Sequence, residues 1–273
     1  MTVSLGKIGI WQHESLLTGE VAAELEELGY GAIWIGGSPD GELGVVERLL
    51  DATKAIPVAT GIVNMWKDDA ATVAASYHRI AARHPGRFLL GVGIGHPEHT
   101  RVYQKPYDKI VSYLDELDAA GVPADERVLA ALGPKVLKLS AERARGAHPY
   151  LTVPAHTREA REILGPDKLL APEQKVVLDT DPDRARSVGR PAIELYLGLD
   201  NYVRNLKRLG YTDEDVAKPG SDRLVDALAL HGDAETIARG LNAHLEAGAD
   251  HITVQASGGD PLRTYRELAK VLF

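Results

Sequence analysis

VATGIVNMWKDDAATVAASYHRIAARHPGRFLLGVGIG, residues Val58 to Gly95, decides the fold. Val58–Val63 and Phe88–Val92 are short, apolar and partly β-branched, the composition of strands covered on both faces. Between them Asp68 or Asp69 can cap a helix that carries Val73, Tyr77 and Ile80 on one side. A strand, an amphipathic helix and a second buried strand in this order predict a parallel pair joined by a crossover.

The same alternation extends in both directions. Ile8–Trp11, Ala32–Ile35, Val128–Ala131, Tyr150–Val153, Gln174–Leu178 and Ile252–Gln255 bring the expected strands to eight. Val21, Leu25 and Leu28 mark one helix face, with Gly29 as its stop. Pro106 suits the first turn of a helix with Ile110, Leu114 and Leu117 inward and Gly121 at its exit; Asp181 and Asp233 are further cap signals. Eight strands fit a closed barrel better than an open doubly wound sheet. The expectation is an α/β protein, a single (β/α)8 TIM barrel over residues 1–273. Between strands seven and eight, Arg184 to Leu230 is too long for one helix and carries the turn signals GYTDED and KPGSD, so two or three extra helices are expected there.

Composition narrows the class. The chain has 273 residues and no cysteine, which removes disulfides, thiolate metal sites and a cysteine nucleophile. Lys+Arg 31 against Asp+Glu 39 leaves a net charge of −8, so no field favours nucleic acid or an anionic membrane. No apolar run approaches the roughly 20 residues of a membrane span. The opening run MTVSLGKIGIWQ lacks the basic-then-apolar pattern of a leader. A soluble, cytoplasmic protein is expected.

In a (β/α)8 barrel the ligand site lies at the C-terminal strand ends. After strand four comes GVGIGHPEH, where Gly91, Gly93 and Gly95 clear space for backbone approach to a ligand and His96, Glu98 and His99 supply titratable groups. HPEH is not HExxH, and no metal site is expected. After strand five, Gly133 and Pro134 open a helix beside Lys135, a candidate seat for an anion. The GxxxxGK spacing of a P-loop is absent. Gly61 inside strand three signals a bulge, and Trp66 or Trp11 could wall an aromatic ligand. The residues alone lead to a barrel enzyme with a polar, glycine-lined mouth.

Several segments add a resemblance: AIWIGGS, LLDATKAIPVATGIVNMW, HPGRFLLGVGIGHPEH, ALGPKVLKLSAERARGAHPY and GADHITVQ. Together they resemble the bacterial luciferase-like oxidoreductases, and within them the actinobacterial coenzyme F420-dependent branch. The resemblance implies a homodimer and a barrel that binds a deazaflavin in its mouth. It implies a non-proline cis peptide at Gly61–Ile62 behind the cofactor ring, with Asn64, Ile94, Gly95 and His99 lining the ring or substrate. Leu132, Gly133, Pro134 and Lys135 would hold the phosphate of the cofactor tail. His96 is the expected proton donor or acceptor, with His13 and His99 behind it. Sugar-phosphate dehydrogenases of this superfamily have Asp-His after strand two, where this chain has Gly36-Gly37-Ser38, and a carboxylate where it has His96. Their substrate is therefore not expected here.

The expected function is hydride transfer between F420 and a small organic substrate. The rivals are an FMN-dependent monooxygenase, a non-catalytic flavin-binding protein and a phosphate-handling isomerase or lyase.

Overall fold

The computed structural model describes residues 3–95 and 105–273. Its strands are β1 (Ile8–His13), β2 (Ile33–Gly36), β3 (Val58–Thr60), β4 (Val63–Asn64), β5 (Phe88–Gly93), β6 (Arg127–Leu129), β7 (Gly146–Ala147), β8 (Leu169–Leu170), β9 (Glu173–Val177), β10 (Ala229–His231) and β11 (Ile252–Ala256). Its helices are α1 (Gly19–Glu27), α2 (Gly44–Asp51), α3 (Ala70–Arg83), α4 (Pro106–Ala119), α5 (Pro134–Arg143), α6 (Pro154–Leu164), α7 (Pro182–Glu194), α8 (Asp200–Arg208), α9 (Asp213–Val216), α10 (Asp222–Leu228), α11 (Ala234–Glu246) and α12 (Pro261–Leu272).

Every described strand pair is parallel, in the order β10-β9-β11-β1-β2-β3-β5-β6-β7-β8. β8 and β9 are one stretch of chain broken only at Ala171 and Pro172. There the Ala171 amide donates to the Ala147 carbonyl at 3.0 Å, while the Pro172 carbonyl accepts from the Thr253 amide at 3.0 Å. That stretch links β7 to β11 and closes the ring. β3 with β4 forms the third strand of the barrel, β8 with β9 the seventh, and β11 the eighth, as the eightfold pattern in the sequence requires.

Alternation along each strand sorts side chains between two cores. Trp11, Trp34, Ala59, Leu89, Val128 and Ala171 fill the inside of the barrel. A larger layer, including Ile10, Ile33, Val58, Leu90 and Val254, packs outward against the helices. Asp69, rather than Asp68, caps α3: its Oδ1 accepts from the Thr72 amide at 2.8 Å. Gly29, at φ +93, turns the chain out of α1.

Two expectations need correction. The sixth strand is Gly146–Ala147, not Tyr150–Val153. β7 runs so close to β8 that a side chain at Gly146 would strike the Leu169 carbonyl, which limits this strand to small residues. The apolar character of the following segment has another cause, because Leu151 and Val153 belong to a core formed with the inserted helices. That insertion holds four helices, α7 to α10, and the short strand β10, instead of two or three helices. Ile193, Leu206, Leu224 and Val225 seat it on Val177 and Ala229 of the sheet. Among the described residues, no helix is long and apolar enough to cross a membrane.

Candidate functional site at the barrel mouth

The third strand breaks between Thr60 and Val63, and the Gly61–Ile62 peptide bond in the gap is cis. Its setting is tightly packed. Trp11 Nε1 donates to the Gly61 carbonyl at 3.1 Å, and a Cβ on Gly61 would lie 2.7 Å from that nitrogen. Thr60 Oγ1 donates to the Gly91 carbonyl at 2.7 Å and accepts from the Gly91 amide at 2.8 Å, tying the third strand to the fourth. The Ile62 side chain lies against Gly93, where an added Cβ would come within 3.0 Å of Ile62 Cγ1 and 2.7 Å of Ala130 Cβ. Gly95 has φ +60 and abuts the Asn64 amide. The fold thus brings Gly61, Ile62, Asn64 and Gly95 into one patch. Ile94, half-buried beside it, also packs on the layer between strands and helices. His96 and His99 lie outside the described residues.

The turn after β6 forms a second patch, reached across the Gly93–Ala130 contact. Gly133 is the N-cap of α5, no side chain caps that helix, and a Cβ on Gly133 would meet nothing within 4 Å. Free amides of a helix start facing open space suit an anion. Lys135 is exposed, and its ammonium rests 3.6 Å above the Tyr107 ring; none of the described ion pairs involves it. His156 Nε2 donates to the Leu132 carbonyl at 2.8 Å and so braces the turn from α6.

Across the mouth stands a polar group that the strand pattern did not reveal. Glu173 and Lys175, two apart on β9, both face the barrel interior and are sealed from solvent. The Lys175 ammonium donates to Glu173 Oε1 at 3.0 Å, Tyr150 Oη at 2.8 Å and Gln255 Oε1 at 3.0 Å, so all three of its protons are placed. Tyr150 Oη donates to Gln255 Oε1 at 3.0 Å and accepts from Tyr196 Oη at 3.2 Å. The Leu151 amide donates to Glu173 Oε2 at 3.0 Å. The Tyr150 ring lies 5.2 Å from that of Trp11, which connects this group to the Gly61 patch. Burial lowers the Lys175 pKa, against the pull of Glu173. Burial, then Glu173, raises that of Tyr150. Beneath them His148 stacks on Trp34 at 4.3 Å and donates from Nδ1 to the Ala171 carbonyl at 2.6 Å; burial holds its pKa down at about 4. It is neutral near pH 7.

Residues 17–120 match the family model for luciferase-like monooxygenases. Comparison with curated proteins gives no match. Solved structures resemble the chain over nearly its whole length. An F420-dependent secondary alcohol dehydrogenase, in complex with an F420-acetone adduct, superposes with a TM-score of 0.74 at 16% identity, covering 100% of this chain and 98% of its own. The oxygenating constituent of 3,6-diketocamphane monooxygenase from Pseudomonas putida, in complex with FMN, gives 0.73 at 16% identity, over 98% and 97%. The coenzyme F420-dependent tetrahydromethanopterin reductase of Methanopyrus kandleri gives 0.72 at 15%, over 99% and 98%. At such identities these likenesses establish the shared (β/α)8 barrel fold and leave the cofactor open.

Within that fold, sequence reading located the glycine patch and the turn after β6. It missed Glu173, Lys175, Tyr150 and His148. The signal for the first two was present: opposite charges two apart in EQKVV, a strand with both faces covered, must meet each other or a partner inside. His13, a second-choice proton carrier, is exposed at the mouth, with Nδ1 2.9 Å from Ser15 Oγ and its ring against Gly37.

Proposed function

We propose that this chain is a luciferase-like oxidoreductase that binds coenzyme F420 in the barrel mouth and passes a hydride between it and a small organic substrate. The observation that carries the reading is the pairing of two patches on adjacent strand exits. One is the break in the third strand at Gly61–Ile62, where Trp11, Ile62 and Asn64 pack tightly against Gly61, Gly93 and Gly95 and could back a planar ring; the other is an uncapped helix start at Gly133, open in front, that fits a phosphate. When bound, the deazaflavin would supply two-electron hydride chemistry.

The chain's own residues would do the rest. Ile62 and the backbone about Gly61 would back the ring, held from behind by Trp11. Leu132 to Lys135 would fix the phosphate, with Lys135 in none of the described ion pairs. Trp11, Trp34 and His148, buried below, would help keep water from the barrel side of the ring. Proton exchange with the substrate falls to His96, after strand four.

Fluorescence titration with F420, with its ring fragment lacking the phosphate tail, and with FMN tests this reading. F420 is expected to bind more tightly than FMN. Lys135→Ala should weaken F420 binding by about 1–2 kcal/mol, the scale of a charge-assisted hydrogen bond, and leave the tail-less fragment unchanged. Equal losses for both ligands would remove the phosphate assignment. Tighter binding of FMN would replace the deazaflavin reading with the monooxygenase one.

A further inference from the structure

The buried group on β9 fixes one more side chain than its own stability needs. Gln255 lies beside Lys175 in the β9–β11 register, near the end of the eighth barrel strand, and is half-buried. Its Oε1 takes two hydrogen bonds, from the Lys175 ammonium and the Tyr150 hydroxyl, both at 3.0 Å. An ammonium can only donate. The atom facing Lys175 must therefore be the oxygen, and flipping the amide would set donor against donor. Nε2 is thereby turned away from the buried group. It has no partner among the described residues, and it is absent from the sealed, unpartnered side-chain nitrogens and oxygens. The result is an oriented N–H donor that solvent can reach. A full positive charge on its carbonyl side also polarises the amide and strengthens the N–H as a donor.

We infer that Gln255 presents its side-chain N–H to a carbonyl oxygen of the bound ligand. This rests on the oxidoreductase reading above and adds to it the chemistry recognised on the side of the mouth opposite the glycine patch. A donor without charge, held by a salt-bridged lysine, suits a neutral acceptor oxygen better than a carboxylate, which would seek the ammonium itself. Carbonyl oxygens of that kind have two sources, the cofactor ring and the organic substrate.

The side-chain amide of Gln255, followed by 15N-correlated NMR and assigned by its loss in Gln255→Glu, separates the two. If the acceptor is on the ring, F420 alone shifts this resonance, and Gln255→Met weakens F420 binding roughly tenfold, the scale of one buried hydrogen bond. If the acceptor is on the substrate, F420 leaves the resonance and its own affinity unchanged. Cyclohexanone added to the F420-bound protein then shifts the resonance. The wild-type spectrum carries this result even where a variant folds poorly. An amide unmoved by both ligands, while F420 binds, overturns the inference and leaves the proposed function standing. Failure of the wild-type protein to bind F420 overturns both.

Discussion

Between pH 6.5 and pH 4 the protein is expected to lose most of its stability. Three buried histidines, His148, His244 and His251, have pKa values lowered to about 4, each chiefly by burial. Each ring is locked as one neutral tautomer. His251 Nδ1 donates to the Gly6 carbonyl at 2.9 Å while Nε2 accepts from Trp34 Nε1 at 3.1 Å, so a second proton would face the indole N–H. His244 Nε2 donates to Gln174 Oε1 at 2.9 Å and Nδ1 accepts from Thr157 Oγ1 at 2.7 Å. In the unfolded chain the same groups take up protons near pH 6.5. Below that pH the unfolded state holds more protons, so stability falls with falling pH, until the folded state titrates near pH 4. Each histidine contributes about 3 kcal/mol across the window, and the three together approach about 10 kcal/mol, comparable with the whole stability of a domain. Urea unfolding at half-unit pH steps should give midpoints that drop steeply below pH 6.5, and His244→Asn should remove about a third of that slope. Midpoints flat from pH 7 to pH 4.5 would show that these rings are not held neutral.

Lys175→Met is expected to cost about 3–5 kcal/mol, the scale of leaving one buried charge without its partner. Glu173 is 0% exposed, and the loss strips Nζ from Glu173, Tyr150 and Gln255 together. The Leu151 amide would still donate to the stranded carboxylate. The double variant Glu173→Gln with Lys175→Met removes the charge as well as its partner and should recover much of the loss. Denaturant midpoints of the two singles and the double close the cycle. A single-variant cost below about 1 kcal/mol would mean that water or another cation reaches Glu173.

The parts of this molecule legible in its sequence are those where local chemistry and the fold ask for the same residue. Val58 to Gly95 carries its strands, its helix and its cap in the residues themselves, and Asp69 is one of the two caps that pattern allows. Gly61 was visible because a glycine in an apolar strand calls for a backbone reason, here the Trp11 ring packed against it. The sixth strand was not legible. Two small residues beside a neighbouring backbone carry no periodicity, while Tyr150–Val153, apolar for the sake of the inserted helices, imitates a strand. The insertion was harder to divide because α9 is four residues long and begins inside GYTDED: Thr212 and Asp215 form a reciprocal cap where the sequence suggests only a turn. The Lys175 group depends on Tyr150 and Gln255, 105 residues apart, meeting across the mouth. No local pattern records such a meeting.

A crystal structure of the protein with F420 tests the central claim most directly. The account predicts the deazaflavin ring in the mouth, against Ile62 and the backbone at Gly61, with the tail phosphate at the Leu132–Lys135 turn. Two depressions lie at the other end of the barrel, one lined by Lys7, Arg145, Asp250 and His251, the other by Lys7, Asn242 and Phe273. Cofactor found in either of those, with the mouth empty, would contradict it.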